Sequence, residues 1–151
     1  MTAQRKNKLR RALRLALLVT LCFIWGNSLL SKTDSAQVSG TVMDRFAAFF
    51  RLLGLDTEDD YWLRMTAHVV EFAALGLELA ALFFLNRGRS LQSGANAAFA
   101  ALLTAFTDEG LQYLSARAPE VKDMALDFFG ALLGILLIAL LRRKKTVKPE
   151  Q

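Results

Sequence analysis

Acidic residues lie where this chain should meet lipid, and that placement constrains its fold more than any other feature. Four apolar stretches, residues 13–30, 65–85, 95–114 and 124–141, each approach the ~20 residues needed to cross a bilayer core of ~30 Å. Glu71 and Glu78 fall within the second, Asp108 and Glu109 within the third, and Asp127 within the fourth. A carboxylate at membrane depth costs at least ~2–3 kcal/mol, so each is expected to face the bundle interior and to have a partner or a task. The fold expected is all-α: a four-helix transmembrane bundle.

The charge distribution orients such a bundle. The net charge is +5, but the basic residues crowd the chain ends. Arg5, Lys6, Lys8, Arg10, Arg11 and Arg14 precede or open the first stretch, and Arg142, Arg143, Lys144, Lys145 and Lys148 follow the last. With Arg87 and Arg89 of the short 86–94 connection they make thirteen of the nineteen Lys and Arg on one side. The positive-inside rule then puts both termini in the cytoplasm. These flanks read as topology signals and anionic-lipid contacts, and no nucleic-acid partner is expected. The organisation expected is a basic cytoplasmic N-terminus (1–12), a transmembrane domain (13–141) and a basic cytoplasmic tail (142–151). A cleaved signal peptide is the rival reading of the first stretch. That stretch is long for one and no A-x-A-like site follows it, so a retained helix is preferred. Trp25, Tyr61, Trp62 and Tyr113 fall at the outer ends of the spans, where an interfacial aromatic belt belongs. The single cysteine, Cys22, excludes an intrachain disulfide and reads as a small packing or lipid-facing residue.

The outer loop 31–64 carries Val42, Phe46, Phe49, Phe50 and Leu53 at helical spacing. This predicts an amphipathic helix, lying in the outer headgroup region or packed on the bundle.

Helical spacing groups the polar residues into stripes. Arg64, His68, Glu71 and Glu78 stand at i, i+4, i+7 and i+14. In the third span the clean apolar run, 95–106, covers only ~18 Å at ~1.5 Å per residue, so the helix must draw in Asp108, Glu109 and Gln112. Asp108 and Gln112 share a face, while Glu109 is turned away from it. In the fourth, Asp123, Asp127, Gly130 and Gly134 share a stripe whose glycines form a G-x-x-x-G, a pattern that admits another helix backbone. Gly76 and Ala80 repeat the small-residue spacing, and Asn27 and Ser28 bring polar groups to the same outer level. One polar cluster in the outer leaflet, built by all four spans, is the expectation. His68, the only histidine, reads first as a satisfied hydrogen-bonding residue and second as a ligand or proton carrier. The plain structural reading is that Arg64, Arg117 and Lys122 neutralise Glu71, Asp108 and Asp123. No nucleophile–base pair, phosphate loop, C-x-x-C or H-E-x-x-H is present.

These residues carry a family resemblance. Residues 64–76, R-M-T-A-H-V-V-E-F-A-A-L-G, resemble the basic-x-x-A-H-x-x-E-aromatic segment of the VanZ-like family of small membrane proteins. D-E-G-L-Q at 108–112 followed by Arg117 is similar to that family's D-E-x-x-Q…R. D-M-A-L-D-F-F-G-A-L-L-G at 123–134 is similar to its D-x-x-x-D/N-x-x-G-x-x-x-G. W-G-N-S at 25–28 resembles its hydroxyl-rich first-span end more weakly. Leu111 departs from the pattern, standing where many members have histidine. The resemblance implies a bacterial inner-membrane protein of the cell envelope, in a family associated with low-level resistance to lipoglycopeptide antibiotics such as teicoplanin. It implies no established reaction.

Two functional classes follow. In the first, the protein binds an envelope amphiphile, a lipid-linked precursor or a lipoglycopeptide, without catalysis. The site would be Arg64, His68, Glu71, Asp108, Glu109, Gln112, Arg117, Asp123 and Asp127, with Lys122 beside it. No cofactor is assigned. In the second, the acids and His68 serve a membrane enzyme acting on a lipid head group, with a divalent metal or an acid–base pair. Transport would require a homo-oligomer, because four short helices make a small bundle.

Overall fold

The structure is a computed structural model that describes residues 2–30, 60–115 and 120–143. The expected amphipathic helix of the outer loop lies outside the described residues. Among those described there are four helices and no strand: α1 (Ala3–Ser28), α2 (Asp60–Arg87), α3 (Leu91–Leu114) and α4 (Val121–Arg143). At their N-terminal ends α3 and α4 extend beyond the apolar stretch by about one turn, α2 by nearly one and a half, and α1 by nearly three, through its basic segment.

Local chemistry sets the ends. The Thr2 hydroxyl accepts from the Arg5 N–H (3.4 Å) to open α1, and Ser90 accepts from the Ser93 N–H (3.1 Å) to open α3. Helix α2 stops at Gly88, whose φ of +79° is the left-handed conformation that glycine adopts without a Cβ penalty. The Gly88 N–H still reaches the Phe84 carbonyl at 3.1 Å.

The helices run up, down, up and down. Arg10 donates to the Asn86 side chain (2.8 Å) and Thr20 to Glu78 (3.1 Å), so α1 and α2 are antiparallel. Gly130 lies against Val69 and Gly134 against Ala73, so α2 and α4 are parallel. The start of α1, the α2–α3 turn and the end of α4 therefore share one end of the bundle. A groove of about 550 Å³ there, lined by Arg89, Leu91, Leu132 and Ala139 among others, joins that turn to α4.

Helix α2 touches the other three, and its closest partner is α4. Their contact is backbone on backbone. A Cβ at Gly76 would stand 2.0 Å from the Ala131 carbonyl oxygen, and one at Gly130 2.6 Å from that of Val69. The expected role of the glycine stripe is thus met, and Ala80 beside Gly76 is fully buried. Helix α3 presents a ridge of small residues, Ser93, Ala97, Ala101 and Ala105, and then buries Asp108, Glu109 and Gln112 as the short apolar run requires. Ile24, Phe72 and Leu75 fill the remaining core.

The four-helix expectation is met in part. Among the described residues two helices are long and apolar enough to cross a membrane by themselves: Met65–Arg87 in α2 and Val121–Leu141 in α4. Helix α1 is diluted by its basic turns, and α3 by the polar residues it buries. Both nonetheless turn large apolar side chains outward: Leu15, Leu18, Val19 and Phe23 on α1, and Phe99, Leu103 and Phe106 on α3. Trp25 packs against the core with its indole Nε1 buried and without a hydrogen-bond partner.

Candidate functional site

The polar side chains gather at the end of the bundle opposite the α2–α3 turn. His68 projects from α2 and meets Asp127 of α4, Nδ1 to Oδ1, at 3.1 Å. This is the ion pair found among the described residues when the imidazole is protonated. Asp127 is 0% exposed, and its second oxygen, Oδ2, has no partner. A buried acceptor left unmatched costs about 1–3 kcal/mol, so this oxygen is held at a cost in stability.

Asp108 of α3, also 0% exposed, is held on both oxygens. The Ser28 hydroxyl of α1 donates to Oδ1, and the Gln112 amide donates to Oδ2 at 3.0 Å. Ser28 is itself fixed, its carbonyl accepting from the Ser115 hydroxyl at 2.7 Å. Donor atoms of His68, Asp108 and Asp127 all lie within 4.8 Å of one another. Glu71, half-buried one turn along α2, lies close enough for its charge to interact with all three.

Each residue expected at the site can now be placed. His68, Glu71, Asp108, Gln112 and Asp127 converge. Glu109 is buried at the edge of the cluster: its Oε1 accepts from the Gln112 amide (3.5 Å), and its Oε2 accepts the Glu120 backbone N–H (2.9 Å) at the entry to α4. It thus places a negative charge where a helix N-terminus favours one. Asp123 is half-buried within charge range of Glu109 and Asp127. Lys122 is exposed. Arg64 and Arg117 lie outside the residues whose side chains are described, so the neutralisation expected of them is not placed.

The α2 stripe divides. Its His68 edge faces α4, whereas its Glu78 edge faces α1, where Oε1 accepts from Thr20 and Oε2 is buried without a partner. Glu78 is therefore a separate polar point about 15 Å from His68 along the helix, not part of the cluster. Ser28 is the residue whose role sequence reasoning understated. Its level was legible, but its bond to Asp108 was not.

Two helices of membrane-crossing length, closed on a buried set of carboxylates and one imidazole, point to a helical membrane protein. The chain belongs to the VanZ-like family: a family model described as VanZ/LLP1 matches residues 13–142, nearly the whole chain. No curated protein and no solved structure matches it.

Proposed function

We propose that this VanZ-like protein is a four-span protein of the bacterial inner membrane that acts on the polar head group of an envelope amphiphile from the outer leaflet. Apolar outward faces on α1 and α3 support lipid contact by all four helices. The shared end of the chain termini and the Arg87–Arg89 turn fits a cytoplasmic side, leaving the cluster outside.

The observation that carries the reading is the convergence of His68, Asp108 and Asp127 within 4.8 Å, with Glu71 beside them. Sequence spacing alone favoured plain binding, because it could not show that these groups meet. Their meeting favours chemistry: groups that take up and release protons now surround one place, where a head group can be cleaved or transferred. Altering a lipid-linked precursor in this way would connect the protein to teicoplanin-type resistance. Binding without turnover is the second reading, favoured by exposed Lys122 next to Asp123, a rim suited to phosphate recognition.

The test is incubation of the full chain, in nanodiscs of bacterial lipid, with lipid-linked precursor, followed by mass spectrometry of the lipids. A changed head group that Asp127→Asn abolishes supports the enzyme. Stoichiometric retention of unchanged lipid supports the binder.

A further inference from the structure

We propose that His68, Asp108 and Asp127 hold one divalent cation of the zinc or manganese class, an inference that rests on reading this cluster as a head-group site. Three facts of geometry carry it. The donor atoms come from three helices and lie within 4.8 Å of one another, so side-chain rotation alone brings them onto one centre. The His68 Nδ1 to Asp127 Oδ1 separation is 3.1 Å. Ligands at ~2.0–2.2 Å from a metal stand about 3.0–3.5 Å apart, so this pair already spans one edge of a coordination polyhedron. Asp127 is 0% exposed and its Oδ2 is buried with no hydrogen-bond partner, an acceptor that a positive group would satisfy, while His68 keeps the cluster partly open.

The surroundings fit the same assignment. Carboxylate ligands are commonly steered by outer hydrogen bonds, and Ser28 and Gln112 supply these to Asp108. Each Asp108 oxygen keeps lone-pair capacity after accepting one bond. Two carboxylates with a neutral imidazole balance a 2+ charge. One nitrogen and two oxygens suit zinc or manganese better than calcium. Three protein ligands leave an open position for a head-group oxygen, the pattern of catalytic rather than structural sites. The set is complete without a second histidine, so Leu111 does not disable it. With His68 engaged by the ion, Glu71 is the group left to accept a proton.

The experiment uses the purified full chain in nanodiscs, stripped with chelator and titrated with Zn²⁺ or Mn²⁺ alone. Calorimetry and elemental analysis read the affinity and stoichiometry. One ion per chain is expected, weakened at least ~10-fold in Asp127→Asn and in His68→Gln. Glu78→Gln, an intramembrane acid outside the cluster, should bind as the parent does. Equal binding by parent and both cluster variants overturns the proposal, as does no binding at about millimolar ion. Circular dichroism identifies a variant that fails to fold, and the other cluster variant then decides. Head-group turnover that survives complete chelation sinks the metal and spares the function. Ion binding with no turnover does the reverse.

Discussion

Gly134 of α4 stands so close to Ala73 of α2 that a Cβ on the glycine would lie 2.0 Å from the alanine's carbonyl oxygen. The obstacle is backbone, which cannot rotate aside. Gly134→Ala should therefore lower stability by about 1–3 kcal/mol, the usual cost of overpacking, and Gly134→Leu should prevent assembly. Gly94→Ala is the matched control, because nothing lies within 4 Å of a Cβ there. It should be neutral or stabilise α3 by up to ~1 kcal/mol. Thermal unfolding in one detergent compares them. Equal melting of Gly134→Leu and the parent would mean that the two helices do not meet on this face.

Glu71→Gln and Asp127→Asn should leave the protein folded and inserted while abolishing its envelope phenotype. Each swap keeps the shape and most hydrogen bonding and removes the charge. Teicoplanin susceptibility of strains carrying each variant is read beside expression and melting temperature. Two variants that behave as the parent does would show the charges to be idle. Two that fail to fold would make the cluster a structural network.

Ser28→Ala should be costly in a different way. It removes the hydroxyl that Asp108 accepts from and leaves a buried carboxylate oxygen short of a donor. A loss of about 1–3 kcal/mol is expected. Ser28→Thr, which keeps the hydroxyl, should recover most of it in the same melting assay.

The four-span topology is checked by labelling single cysteines in a Cys22→Ala background. Cysteine at Asp34 or Glu120 should react with an impermeant thiol reagent applied from outside, and cysteine at Ser90 should not. The reverse pattern would invert the bundle.

Helical spacing made a large part of this site legible. It put Asp127, Gly130 and Gly134 on one stripe and required α3 to bury Asp108, both of which hold. Periodicity names a face, however, not the neighbour that face meets. His68 and Glu78 lie about 80° apart around α2 at ~100° per residue, near enough to look like one stripe, yet they face different helices. Glu109 shows a related limit. One of its partners is a backbone N–H in the connection before α4, and a backbone donor leaves no mark in the residue types. The lengths of the apolar stretches suggest four spans, whereas mean hydropathy over a full crossing length singles out α2 and α4 among the described residues.

The partnership of α2 with α4 carries a consequence for how the chain is made. His68 precedes Asp127 by 59 residues. In a four-span chain, α2 therefore reaches the bilayer well before α4 can join it. During that interval its histidine and the flat face at Gly76 lack the neighbour that α4 supplies. An α2 without α4 should be open to quality-control proteases, because its closest packing partner is missing. A chain stopped after α3 should accordingly be short-lived in cells, even though it retains most of its hydrophobic residues.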